Sequence, residues 1–399
     1  MVVAVALLSA LSLDAQRRRR PSGSPGEPQP QQNFALGSTL PGLTAEQTER
    51  FNAGRREFAD VKTPETGLGP VYNEQSCGRC HYAPTAGGTG SRTVTHVAAI
   101  VDGFYSDLLE RGGGLLQTAG IRQLPGSTHD FIGERVPKEA TITARRRAQP
   151  VYGLGLVEAT DDSTFIALAA AQAARGDGIA GRAALVHNIL NGMKTVGKFG
   201  WKAQHATLKE RSADAYLQEI GITNPLFPNE LCPSGDCSQL QFNPRPGLND
   251  GGSIADWVAD YIRFLGPPQR GPITPDVTAG ATVFARIGCD VCHTPTLQTA
   301  PNAIAALDRV TYHPYSDFLL HDMGSLGDGI EQGAAKGTEM RTPPLWGMHH
   351  FTTFLHDGRA KGAEAAILAH DGQGRGARDR FAALDAADKA RVLAFLKSL

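Results

Sequence analysis

Apolar positions at helical spacing fall in short, separated stretches of this chain. The first follows Thr44, a helix cap by type, with Gln47 three residues on and Phe51 and Phe58 beyond. A second, Ser163 to Arg175, is alanine-rich and stops at Gly176-Asp177-Gly178. Ser253-x-x-Asp256 resembles a capping box. It opens a run that sets Ile254, Trp257, Val258, Tyr261, Ile262 and Leu265 on one face. Gly266-Pro267-Pro268 ends that run. Thr274-Pro275 then pairs a cap with proline at the first helical position, and Val277, Phe284 and Ile287 line a helix leading into Cys289. The last stretch, Asp385 to Leu399, places Val392, Phe395, Leu396 and Leu399 on one face. No strand-rich segment stands out. The pattern predicts a mainly α fold with extensive coil.

Composition adds the connecting material. Among 399 residues there are 46 glycines and 25 prolines, which point to long ordered loops between short helices. A hydrophobic share of 41% is enough to build real cores. The net charge of −1 gives no electrostatic case for nucleic acid. Met1 to Leu13 is apolar but too short to span a bilayer. With Leu13-Asp-Ala15-Gln16 it reads as a secretory signal peptide over 1–15, although no lysine or arginine precedes it. Residues 16–43, with Arg17 to Arg20 and a Pro/Gln/Ser/Gly stretch, read as a disordered tether. No stable membrane span is expected unless the amino-terminal segment is retained. Two domains are expected after it, 44–268 and 269–399.

The chemistry enters with Cys-x-x-Cys-His, present as Cys77-Gly-Arg-Cys80-His81 and as Cys289-Asp-Val-Cys292-His293. In this pattern two thiols form thioethers to a porphyrin edge and the histidine becomes the proximal ligand of the iron. Two covalently bound c-type haems are therefore expected, each in a cytochrome c-like domain built as opening helix, motif, loops and closing helix. Bacterial haem c attachment takes place outside the cytoplasm, so a periplasmic or otherwise exported location agrees with the leader. Cys232 and Cys237 remain, and in an oxidising compartment the expectation is a local disulfide.

A haem with only its proximal histidine has an open face, and what fills that face decides between electron transfer and chemistry on a bound molecule. Spacing does not choose among the other ten histidines, but further segments are informative. They are Gly67-Leu-Gly-Pro-Val-Tyr-Asn73, Arg147-Ala-Gln-Pro-Val-Tyr-Gly-Leu-Gly-Leu156, Phe199-Gly-Trp-Lys-Ala-Gln204, Glu219-Ile-Gly-Ile-Thr223, Tyr315-Ser-Asp-Phe-Leu-Leu-His-Asp-Met-Gly324, Arg341-Thr-Pro-Pro-Leu-Trp346 and Phe354-Leu-His-Asp-Gly-Arg359. Together, over roughly residues 45 to 399, the chain resembles the dihaem oxidoreductases, a peroxidase-like and thiol-oxidoreductase-like family remotely similar to bacterial dihaem cytochrome c peroxidases.

The resemblance implies roles. His370 would ligate the second haem opposite His293, where the peroxidases carry methionine. Glu219 matches a carboxylate above the first haem and would act as acid/base. Trp201 matches a tryptophan lying between the two haems. His321 and His356 resemble histidines near the second haem. Arg359 and the run Arg145 to Arg147 are candidates to pair with propionates. No histidine matches the movable distal residue of the peroxidases, and Arg211 stands where those enzymes carry a glutamine. Two readings of function follow. One is an exported dihaem enzyme that reduces a small oxidant such as peroxide at the first haem, with electrons from a small redox protein relayed by the second. The other is a dihaem electron carrier without chemistry of its own.

Overall fold

The structure is a computed structural model and describes residues 35–122 and 129–399. The expected signal peptide and the tether as far as residue 34 lie outside the described residues. The last part of the expected tether is not loose. Leu40 is buried, its N–H donates to the Phe264 carbonyl at 2.8 Å, and Gly266 N–H donates to Ser38 at 2.9 Å.

Nine α-helices are described: α1 Ala45–Ala59, α2 Leu154–Glu158, α3 Asp162–Arg175, α4 Leu208–Ile220, α5 Ser253–Phe264, α6 Pro275–Arg286, α7 Ala363–Leu368, α8 Arg375–Ala382 and α9 Ala386–Ser398. Their ends follow local chemistry. Thr44 Oγ1 accepts from Gln47 N–H, and Gln47 Oε1 accepts from Thr44 N–H, at 3.2 and 3.0 Å. Thr274 caps α6, and Gly176 closes α3 in a left-handed conformation. At α5 the expectation was wrong in detail. Ser253 is not the cap. The Asp250 carboxylate accepts from the N–H groups of Gly252, Ile254 and Ala255 and so satisfies the free amides of the first turn. Trp257 is 37% exposed and stands off the buried face formed by Val258, Tyr261 and Ile262.

Two helix pairs share one construction. α1 crosses α5 at Gly54, where an added Cβ would lie 1.9 Å from the Trp257 carbonyl oxygen. The rings of Phe51 and Phe58 pack on Tyr261 at 5.1 and 5.0 Å. α6 crosses α9 at Gly280, where a Cβ would lie 2.0 Å from the Arg391 carbonyl oxygen, and Phe284 packs on Phe395 at 5.1 Å. In each case a glycine permits the backbones to touch. An aromatic four residues later then fills the angle between the helices and carries the chain toward a Cys-x-x-Cys-His segment.

The sheet corrects the expectation of a mainly α chain. β2 Thr93–Val101 pairs antiparallel with β3 Phe104–Ser106, β4 Leu115–Leu116 and β6 Ile142–Arg147. Two short strands, β1 Val71–Tyr72 and β5 Ala119–Gly120, pair apart from it. A further hairpin joins β7 Ala184–His187 to β8 Lys194–Gly197. Six of the nine residues of β2 are β-branched, a strand signal present in the sequence. β6 is harder to read, because its inward positions are Ala144 and Arg146. An inward arginine breaks the apolar alternation that marks a strand.

The cores also cross the expected boundary at Pro268. The larger core contains Phe58, Tyr152 and Tyr261, but also Leu297, Tyr312, Phe318 and Trp346. The smaller one is confined to the carboxy-terminal part, around Phe284, Tyr315, Phe381 and Phe395.

Candidate functional site

The first Cys-x-x-Cys-His segment is a tight turn. Both Cys80 and His81 N–H groups donate to the Cys77 carbonyl, at 3.1 and 3.0 Å. Neither thiol is in a disulfide. The His81 ring packs near Phe58 at 5.7 Å, and its Nδ1 lies 3.0 Å from the Gly88 carbonyl oxygen. That contact requires a proton on Nδ1 and leaves Nε2 with its lone pair, the state a metal ligand needs. Burial pushes the imidazole down to about 4, so it is neutral at ordinary pH. Burial also pushes the Cys77 and Cys80 thiols up to about 12.

These residues open onto a cavity of about 500 Å³. Glu219 and Trp201 line the same cavity. Glu219 comes from the end of α4, whose cavity face also carries Leu208, Arg211, Ser212 and Ala215, one helical stripe. Its Oε2 accepts from Asn73 Nδ2 at 3.0 Å, and burial raises its pKa above the ordinary carboxylate range. Arg211 points at Asp214 at 3.4 Å, and Asp214 in turn meets His205 Nε2 at 3.1 Å. Trp201 donates its Nε1 hydrogen to the Arg147 carbonyl at 2.9 Å and meets the His356 ring edge-on at 6.3 Å.

Another wall is the sheet that the sequence reading missed. Val94 and His96 of β2 and Arg146 of β6 line the cavity. Val94 is paired directly with Arg146, which places the two on one face. His96 is 8% exposed, and burial followed by the Arg146 charge lowers it to about 3. It is therefore a neutral buried imidazole in the same cavity as His81. No motif surrounds it in the sequence, and its place in a β-branched run is the one signal of its burial.

The second segment repeats the first. His293 N–H donates to the Cys289 carbonyl at 2.9 Å, His293 Nδ1 lies 3.0 Å from the Tyr315 carbonyl oxygen, and the ring packs near Phe284 at 6.3 Å. Burial, then the neighbouring His370, lowers His293 to about 4. Cys289 and Cys292 are likewise free of disulfides. His370 follows α7, and its Nδ1 lies 2.8 Å from the Ala366 carbonyl oxygen, so it too keeps Nε2. The centres of the His293 and His370 rings are 6.4 Å apart.

The remaining candidates separate. His321 lies beside the second segment: its Nε2 is 2.9 Å from Asp317 and its Nδ1 is 2.8 Å from Gln373 Oε1 and 3.7 Å from Cys292 Sγ. Burial opposes its charge, but the Asp317 carboxylate outweighs this and raises it well above the ordinary histidine value. His356 lies against Trp201. Arg359 pairs with Asp357 at the surface. Cys232 and Cys237 form a disulfide, and within its loop Ser234 N–H donates to Glu134 at 2.6 Å.

The donor set suits a porphyrin iron at both places. Metal–imidazole nitrogen bonds are about 2 Å long, and a ring centre lies about 1 Å behind its nitrogen, so two imidazoles on one metal stand about 6 Å apart. His293 and His370 have that spacing. In the first cavity, Arg146 Nη2, Ser212 Oγ, Gln204 Oε1 and Trp346 Nε1 are buried without a hydrogen-bond partner, as expected where a further group completes the wall. Two such centres in one chain define a dihaem redox protein.

The chain belongs to the family described as Di-haem oxidoreductase, putative peroxidase, whose model matches residues 127–399. The match starts beyond the first motif and is shorter than the stretch from 45 expected from the order of segments. A search of curated proteins finds no match. Among solved structures, a hydrazine synthase of Kuenenia stuttgartiensis is 13% identical with a TM-score of 0.39, over 100% of both chains. A MauG-like protein associated with microbial copper homeostasis is 17% identical with a TM-score of 0.38, over 92% of this chain and 95% of that one. Both likenesses are too weak to carry a residue assignment. Among the described residues, no helix is long and apolar enough to cross a membrane.

Proposed function

We propose that the chain is an exported c-type dihaem oxidoreductase that reduces a small oxidant such as peroxide at the first centre. Cys77, Cys80 and His81 would hold the first haem, and Cys289, Cys292 and His293 the second, each within a cytochrome c-like unit. His370, whose ring stands 6.4 Å from that of His293, would help hold the second haem. The observation that carries the reading is the asymmetry of the two centres. His293 is faced by a second imidazole at 6.4 Å, whereas His81 opens on a cavity that also holds a buried carboxylate.

When bound, the haems supply the electrons and the metal that accepts the oxidant. The chain's own residues supply protons and exclusion of water. Reducing one peroxide to two waters takes two electrons and two protons. Glu219 is the proton carrier: burial keeps a proton on it to higher pH than usual, and Asn73 fixes one of its oxygens. Arg211 and Asp214 keep a charge pair on the same cavity wall. Trp201 lines this cavity beside Arg341, whose N–H donates to its carbonyl at 2.9 Å, and it would help couple the centres. A small redox protein is the expected electron donor.

His96 favours a second reading, a dihaem electron carrier in which that imidazole, buried in the same cavity as His81, would also hold the first haem. One spectrum separates the two. A high-spin ferric signal that shifts with cyanide or peroxide supports the enzyme; two low-spin centres indifferent to both refute it and support the carrier.

A further inference from the structure

Lys202 is 0% exposed and its charge is not neutralised by a single partner. Its Nζ donates to the carbonyls of Lys336, Gly337 and Glu339 at 3.1, 3.1 and 2.6 Å and meets Asp328 Oδ1 at 3.0 Å. Three carbonyl oxygens and one carboxylate around a single positive centre form the donor set of a hard-cation site. The other Asp328 oxygen accepts from Arg146 Nε at 2.6 Å, and Arg146 Nη1 donates to Gln332 Oε1 at 2.6 Å. The cage thus ties two stretches of chain together. Residues 201 and 204, on either side of Lys202, line the first cavity, and so do Ile330, Gln332 and Arg341 from the caged loop.

We propose that the loop from Asp328 to Arg341 forms an oxygen-lined cation site, filled by the Lys202 ammonium as a tethered cation, and that this site positions the wall of the first cavity. The chain thereby carries its own ion where a metal or a free ammonium would otherwise serve. Lys202 is a positioning residue: it acts through Asp328 and Arg146 and touches no reacting atom. The effect on the haem rests on the reading given under Proposed function; the cation site does not.

The test uses full-length haem-loaded protein, with haem counted at both motifs first, so that a missing first haem counts against the proposed function alone. Lys202→Ala removes the side chain beyond Cβ, and propylammonium replaces what is lost. The substitution is expected to raise the unfolding constant at least about 100-fold, because three carbonyls and a carboxylate lose their partner. It is also expected to shift the first haem's absorption while leaving the second unchanged. Propylammonium should reverse both effects, whereas propanol and sodium chloride should not. Potassium or calcium that rescues as well also supports an oxygen-lined cation site. Rescue by propanol equal to that by propylammonium overturns the proposal, since filling volume would then be sufficient. An unchanged first-haem spectrum overturns the positioning role. If Lys202→Ala does not accumulate, the near-isosteric Asp328→Asn opens the cage from the other side. It must then shift the same spectrum, and no shift defeats the idea.

Discussion

Gly280→Ala tests the helix crossing that leads into the second motif. The new Cβ would lie 2.0 Å from the Arg391 carbonyl oxygen, and real Cβ atoms essentially never approach closer than 3.0 Å. Both partners are backbone, so α6 and α9 have to part by at least about 1 Å. Overpacking of this kind costs about 1–3 kcal/mol. Loosening the contact between Phe284 and Phe395 costs about 0.5–1.5 kcal/mol more. Alanine's better helix propensity returns about 1 kcal/mol. The net loss is about 2 kcal/mol, which in a large domain lowers the melting midpoint by about 4–8 °C. Cys289 follows the end of α6 closely, so the disturbance reaches the second haem before the first. The assay is thermal unfolding of haem-loaded protein followed at the absorption of each haem. Gly54→Ala, facing the Trp257 carbonyl at 1.9 Å, should affect the first haem instead. A Gly280→Ala midpoint within about 1 °C of the parent, or equal early loss at both haems, would falsify the crossing argument.

Three further outcomes are expected. His370→Met should raise the potential of the second haem, within the roughly 0.8 V range that axial ligands span, and alter its low-spin spectrum; an unchanged potential removes His370 as a ligand. Glu219→Gln should slow peroxide turnover by about 10²–10⁴-fold with both haem spectra intact, and undiminished turnover takes it out of the mechanism. Burial opposes ionisation of Asp328, but Arg146 and then Lys202 outweigh it and hold the carboxyl at about 2, below its ordinary 3.8. A depressed carboxyl stabilises the fold above its unfolded value and loses that contribution as pH falls through its folded one. About 2 kcal/mol should therefore disappear between about pH 4 and pH 2. Urea midpoints across that window should fall more steeply for the parent than for Asp328→Asn, and parallel slopes would count against the ion pair.

Parts of this molecule were legible one residue at a time. The two Cys-x-x-Cys-His segments, the caps at Thr44 and Thr274, the stop at Gly176 and the apolar face of α9 all depend on neighbours within a turn or two of chain. Short-range hydrogen bonding and helical spacing specify such features wherever they occur. Even there, the α5 cap moved from Ser253 to Asp250, because several donors and acceptors compete at a helix start and the backbone path chooses between them.

The cavity was decided by long-range packing. Cys77 and His81 meet Glu219 there because α1 and α5 cross at a glycine and α4 packs across α5. His96 and Arg146 join them only because β2 pairs with a strand almost 50 residues later, whose inward arginine concealed it. Lys202 looks like any surface lysine in sequence and is wholly buried in the fold. A buried charge is tolerated only where distant carbonyls and a carboxylate converge on it, and no local pattern encodes that convergence. Sequence alone determined which groups can bind iron; tertiary structure decided which polar groups share their space, because desolvation and pairing are properties of neighbours in three dimensions.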